Sequence, residues 1–256
     1  MWIIRIMVVD YINPNLDYEK IQETLKEEKY IVIENFLSVE YAEKLYNWLN
    51  KEMPEEWWSS SALPNKTGID EISSYRATPE NKLNILSDRH YATMKMLEGH
   101  FSYLFHRTFN DHYETCTCLN CDFFEKVNSS EFTELLTKLT GLEINGAQTF
   151  FAAKYIQGDF LSPHHDLGLG KLGFTLQLTK DWQPHYGGLL HFVDDNASEI
   201  EKIVIPKFNK LTLFYLPDGK GKMHYVSHVH QGVPHKRLAY TGWFGYHPEN
   251  TPDTVY

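Results

Sequence analysis

Long apolar runs are missing from this sequence. None approaches the roughly 20 consecutive residues that a membrane-crossing helix needs, so no membrane partner is expected. The apolar opening MWIIRIMVVD has no basic segment ahead of it and no A-x-A-like cleavage site, and Asp10 ends it early. It therefore reads as a first strand and not as a signal peptide. Cysteine is scarce too: three residues cannot build a disulfide framework, so a reducing, cytoplasmic setting is expected. Basic charge is in deficit. With 24 Lys and Arg against 34 Asp and Glu, the formal charge is −10, and no cationic stripe is available to neutralise a phosphate backbone. Nucleic acid is thereby excluded as an expected partner, although a local basic pocket for a small anion is not. Repeats and low-complexity tracts are also lacking. The glycines of DLGLGKLGF do not end in the Gly-Lys-Ser/Thr that opens the helix of a phosphate loop.

What the chain does have is a folding composition, with 42% hydrophobic and 14% aromatic residues. Up to about residue 145 the texture is mainly helical. NLDYEKIQETLKEEKY carries Leu16, Ile21 and Leu25 at helical spacing, with Asn15 as candidate N-cap. YIVIENFL is a short β-rich run, and SVEYAEKLYNWLNKEM predicts a helix capped by Ser38. The span from Pro79 to Phe109 reads as a further long helix through Leu83, Ile85, Leu97, Phe101 and Leu104. EEWWSSSALPNKTG reads as a loop, and SSEFTELLTKLTGL as a helix capped by Ser129 or Ser130 and stopped by Gly141. From Gln148 onward short Phe-, Thr-, Val- and Tyr-rich runs alternate with Gly, Pro and Asp clusters. Seven of them (QTFFAAKYI, GFTLQL, GGLLHFV, KIVIP, KLTLFYL, MHYVSHV, RLAYTGWFGY) predict an antiparallel sandwich or barrel. Residues 1–145 are thus expected to form a helical support region, in one domain with a β core at 146–256.

The chemistry-bearing residues cluster in that second part. In YIQGDFLSPHHD, His164 and Asp166 have the same parity along an extended chain and share a face, while His165 points away. An imidazole beside a carboxylate suits Fe(II), Mn(II) or Zn(II). A third ligand must come from another strand, and KMHYVSHVHQG offers His224, His228 and His230, which periodicity does not distinguish. Arg237, in the strand-like HKRLAYTGWF, would need an anionic partner if it faced inward. Separately, CTCLNC groups Cys116, Cys118 and Cys121 close behind His106 and His112. Three thiols and one imidazole could close a tetrahedral zinc site, or the thiols could simply be reduced and half-buried.

Taken in order, these segments resemble the Fe(II)/2-oxoglutarate-dependent dioxygenases, in particular the prolyl 4-hydroxylase-like branch. The motifs are YIQGDFLSPHHD, LQLTKDW, GGLLHF, PKFNKLTLF, and HYVSHV followed by RLAYTGWF, and ENFLSVEYAEKL resembles that family's N-terminal support. The resemblance implies an α+β fold with a double-stranded β-helix core (jelly-roll, cupin-like) and N-terminal supporting helices. It implies His164, Asp166 and His224 as ligands of Fe(II), with His228 as the fallback because the gap from His224 to Arg237 is slightly longer than is usual in the family. It also implies Arg237 as the partner of the distal 2-oxoglutarate carboxylate and Tyr155 beside the co-substrate. Gln177 stands where close relatives carry a co-substrate-touching tyrosine. The cofactors implied are Fe(II), 2-oxoglutarate and O2, with ascorbate as an optional reductant. The implied reaction is hydroxylation of an unactivated C–H bond, with a prolyl residue of a protein or peptide favoured over a free amino acid or small natural product. Relatives that halogenate replace the carboxylate, so an intact Asp166 favours hydroxylation. A non-catalytic cupin-like module or a zinc hydrolase using the same ligands would leave Arg237 unexplained.

Overall fold

The structure is a computed structural model; it describes residues 10–66, 71–108, 116–166, 168–216 and 222–245. The expected first strand at the N-terminus and His112 lie outside these residues. In chain order the elements are α1 (Tyr18–Glu28), β1 (Tyr30–Glu34), α2 (Val39–Asn47), β2 (Trp58–Ala62), β3 (Ser73–Arg76), α3 (Lys82–Leu97), β4 (Tyr103–Thr108), α4 (Leu119–Val127), α5 (Ser130–Thr140), β5 (Ala147–Tyr155), β6 (Phe160–His164), β7 (Leu172–Gln177), β8 (Leu190–Val193), β9 (Ile200–Val204), β10 (Lys210–Tyr215), β11 (His224–Val226) and β12 (Arg237–Phe244).

Local chemistry explains most of the boundaries. Helix α1 starts at Asp17, whose side chain accepts from the Lys20 amide, and not at Asn15. Asn15 instead gives its own amide to Asn13 in a turn, so the first turn of helix has moved two residues on. Ser38 and Ser129 are N-caps as their position predicts, and Gly141 ends α5 in the left-handed region at φ 71°. The single helix expected up to Phe109 is not found. It stops at Leu97, Gly99 turns the chain at φ 84°, and Tyr103–Thr108 is a strand. The expected loop at EEWWSSSALPNKTG contains β2, which is buried along its whole length between β3 and β4. The first part of the chain therefore supplies strands as well as helices.

The strands run β1-β10-β7-β12-β5-β4-β6-β11-β8-β9, antiparallel throughout, in a nearly closed barrel, with β2 and β3 continuing outward from β4. Mixed helices and an antiparallel sheet of this kind form a double-stranded β-helix. Alternation along the strands separates two cores. Ile31, Ile33, Leu211, Leu213, Phe174 and Tyr240 face outward onto α1, α2, α4 and α5. Phe151, Tyr155, Phe192, Phe214 and Val226 face into the barrel. Two polar residues pin these layers. Buried Asn209 accepts from the Leu37 amide and donates to the Leu37 carbonyl, both at 2.8 Å, tying the chain after β1 to the turn before β10. Asp159, fully buried, accepts from Arg89 at 2.9 Å, from the Ile156 amide at 3.0 Å and from the His106 ring at 3.0 Å. Among the described residues no helix is long and apolar enough to cross a membrane.

Candidate metal centre

Strand β6 ends at His164, Asp166 follows two residues later, and β11 places His224 as the Cα partner of His164. One ligand atom from each lies within 4.8 Å of the others. His164 Nε2 is 3.1 Å from Asp166 Oδ1, and His224 Nε2 is 3.5 Å from Asp166 Oδ2. The opposite ring nitrogens fix the tautomers. His164 Nδ1 donates to the Ser162 carbonyl at 3.0 Å and His224 Nδ1 to the Lys222 carbonyl at 2.8 Å, because a carbonyl oxygen can only accept. In the neutral rings both Nε2 lone pairs then face the carboxylate. Lone pairs in that arrangement repel unless a cation, either a proton or a metal ion, sits among them.

The ionisation of the group reflects this crowding. Burial alone would raise Asp166, but the His224 charge and the hydrogen bond and charge of His164 outweigh it, with a further hydrogen bond from the Trp243 indole; the carboxyl is held down at about 2. His224 is pushed down to about 4 by burial and then by the His164 charge. Burial would lower His164, yet Asp166 and the Ser162 carbonyl raise it above its ordinary value. The shared site thus shifts the two imidazoles in opposite directions, His164 up and His224 down.

The same cavity is walled by apolar rings, among them Phe105, Phe151 and Phe214, and reaches Tyr155, Thr175, Thr241 and Arg237. Arg237 is the Cα partner of Tyr155 across β12 and β5, and its guanidinium lies over the Tyr155 ring, 4.5 Å from the centroid. Only 3% of Arg237 is exposed, its Nε has no hydrogen-bond partner, and among the described residues no carboxylate pairs with it. Burial lowers its pKa, opposed by Tyr155. Burial also raises the Tyr155 hydroxyl to about 12, with Arg237 pulling the other way. A buried cation with no carboxylate partner among the described residues, lining the same cavity as two nitrogens and one carboxylate, has the chemistry to take an anion near a metal ion.

Not every residue singled out in the sequence reaches this cavity. His228 stacks on Phe160 with centroids 4.2 Å apart and lies outside the three-residue group, as does His165. Gln177 is buried on the same inward face of β7, with both amide atoms unpartnered, but Thr175, two residues earlier, is the β7 side chain on the cavity wall. Thr175 and Thr241 hydroxyls are 3.0 Å apart. Neither threonine stands out in the sequence, because a hydroxyl within a strand pattern carries no ligand signature, whereas Trp243 lies in the RLAYTGWF motif. The signal available for Thr175 is its shared parity with Gln177.

Residues 150–245 match the family model of the 2OG-Fe(II) oxygenase superfamily. The segment belongs to that superfamily. Among solved structures, a prolyl hydroxylase from Trichoplax adhaerens, in complex with a hypoxia inducible factor oxygen degradation domain peptide fragment, is 17% identical. The match covers 89% of this chain and 88% of that one at a TM-score of 0.57. A prolyl-4-hydroxylase from Pseudomonas putida is 16% identical over 90% of this chain and 91% of that one, at a TM-score of 0.47. No curated protein matches the sequence. At 17% identity the likeness to the Trichoplax structure speaks for the fold alone, and the double-stranded β-helix seen here agrees with it. The 2OG-Fe(II) oxygenase superfamily implies Fe(II), 2-oxoglutarate and O2 as reactants. The residues present fit such reactants: the N,N,O group suits a ferrous ion, and the unpaired Arg237 suits a carboxylate.

Proposed function

We propose that this 2OG-Fe(II) oxygenase hydroxylates an unactivated C–H bond of a prolyl residue in a protein or peptide. His164, Asp166 and His224 hold the ferrous ion, and Arg237 receives the distal carboxylate of 2-oxoglutarate. The observation that carries the reading is Arg237, a buried guanidinium whose charge no described side chain answers, in the same cavity as the three-residue group. When bound, iron and 2-oxoglutarate supply oxidative decarboxylation coupled to transfer of one oxygen atom to the substrate. The chain's own contributions are positional and electrostatic. Three ligands grouped on one side leave the remaining positions of the ion open. The planar guanidinium can grip a carboxylate with two parallel hydrogen bonds, and the Tyr155 ring beneath it fixes its plane. Phe105, Phe151 and Phe214 keep bulk water off the reacting atoms. The intact carboxylate at Asp166 speaks for hydroxylation over halogenation.

Support for a peptidyl substrate comes from the likeness to a prolyl hydroxylase solved with a peptide. It also comes from Phe101, 43% exposed, whose ring centroid is 5.2 Å from that of His164 and which gives an extended chain an aromatic shelf at the mouth. Anaerobic protein mixed with Fe(II) and 2-oxoglutarate is expected to develop a weak visible metal-to-ligand charge-transfer band, and to form succinate when air is admitted, with ascorbate sustaining turnover. Proline-containing peptides should gain one oxygen by mass spectrometry. Asp166→Ala should lose band and succinate with the fold intact; full turnover by that variant would sink the assignment. Oxidation of a free amino acid, with no peptide touched, would keep the oxygenase and discard the prolyl substrate.

A further inference from the structure

The three cysteines take no part in that chemistry, yet the fold gathers them. Cys116, Cys118 and Cys121 each offer a sulfur, and the three sulfurs lie within 4.8 Å of one another. Cys118 and Cys121 sulfurs are 3.6 Å apart, and no disulfide joins any pair. Zinc binds thiolate sulfur at about 2.3 Å, which puts two sulfurs of a tetrahedron about 3.8 Å apart. The observed separations thus need only small side-chain rotations to enclose one ion. The backbone favours the gathering: Cys118 is the N-cap of α4 and Cys121 lies in its first turn. Burial and the two neighbouring thiols push the Cys121 thiol up, a cost that a bound cation would offset. The Cys118 amide donates to Cys116 Sγ at 3.5 Å, the kind of contact that orients a thiolate ligand.

We infer that Cys116, Cys118 and Cys121 form a second metal site that binds zinc(II) through three thiolates. Of the two nearby histidines that the sequence offers as a fourth ligand, His106 is committed to Asp159 at 3.0 Å, and His112 lies outside the described residues. All three cysteines are half-buried. Binding exchanges three thiol protons for one zinc ion, with no change in oxidation state. Three sulfurs form a soft set and His164, Asp166 and His224 a harder one, so the two sites select different metals. The role of the ion is structural. Asn120, between the cysteines, accepts from the Trp48 indole at 3.0 Å and from the Tyr240 hydroxyl, and Phe123 one turn on packs against Tyr240 with centroids 4.8 Å apart. Zinc here would staple the start of α4 onto the outer face of β12.

Full-length protein, produced untagged with both metals supplied and kept reduced, should contain about one zinc per chain by elemental analysis. Asp166→Ala should keep that zinc, whereas Cys118→Ser and Cys121→Ser should lose it and melt several degrees lower. Cobalt(II) added to zinc-free protein should give a near-ultraviolet thiolate charge-transfer band that both serine variants lack. If the serine variants do not fold, the wild type still decides: titration with a mercurial should release one zinc as three thiols react. Zinc retained after all three thiols are blocked, zinc absent from reduced protein, or a Cys118–Cys121 disulfide in its place would each overturn the site.

Discussion

The site rests on a few single-residue properties. Arg237 is the sharpest, because its burial without a carboxylate is a liability to the empty chain and an asset to the loaded one. Arg237→Met should leave metal-free protein at least as stable as the wild type, since removing an unanswered buried charge offsets the lost stacking on Tyr155. The same variant should bind 2-oxoglutarate about 100-fold more weakly, ~2.7 kcal/mol, read as loss of ligand-induced thermal stabilisation. The two imidazoles give a pH signature. His164 is raised and His224 is held down at about 4, so on acidification one proton, not two, must leave before a metal can bind. Affinity for Fe(II) or Co(II) should therefore fall about tenfold per pH unit below the His164 pKa, steepening only near pH 4. A slope of two protons between pH 5 and 6.5 would show that His224 titrates normally. At this scale the sequence was readable where spacing carries the chemistry. The His-x-Asp pair shows in the parity, while His224, one of three histidines of equal parity, is brought beside His164 by the β11 pairing with β6.

Elements were harder to read where two periodicities overlap. Phe101 and Leu104 continue the apolar spacing of α3, and only Gly99 signals that the chain has turned to begin β4. The buried β2 was hidden for another reason: three consecutive serines look like a loop, but here they sit buried between two strands. Packing between elements exposes a dependence of the metal-binding residues on a strand distant from them in the sheet order. A methyl group at Gly173 on β7 would come within 2.2–2.6 Å of the Phe214 ring on β10, and that ring lies 4.9 Å from His224. Gly173→Ala should thus destabilise the protein by about 1–3 kcal/mol through overpacking and weaken metal binding as Phe214 is driven toward the imidazole. Equilibrium unfolding and metal titration test the two effects separately. Asp159 links α3, β4 and the turn between β5 and β6. Asp159→Asn leaves the Arg89 charge unanswered and should cost about 3 kcal/mol in denaturant unfolding.

Across the whole molecule, β4 has the decisive position. One of its edges pairs with β2; the other is divided, with Tyr103 and Leu104 opposite β6 and His106 and Arg107 opposite β5. Strand β1 likewise completes the sheet beside β10. A fragment of residues 146–256 lacks both strands and is expected not to unfold cooperatively on heating, whatever metal is added. The motif-bearing segments on either side of β4 were legible, but their dependence on the first part of the chain was not, since pairing between distant strands leaves no local trace in sequence. The divided edge of β4 has a kinetic corollary. In the sheet order, β5 and β12, which carry Tyr155 and Arg237, are joined to β6 and β11, which carry the histidines, by the six-residue strand β4 from a remote part of the chain. Its amides should be among the last to exchange with deuterium, and the gap between guanidinium and imidazoles should stay constant during breathing motions, so that reactants come and go by the mouth and never by a parting of the walls.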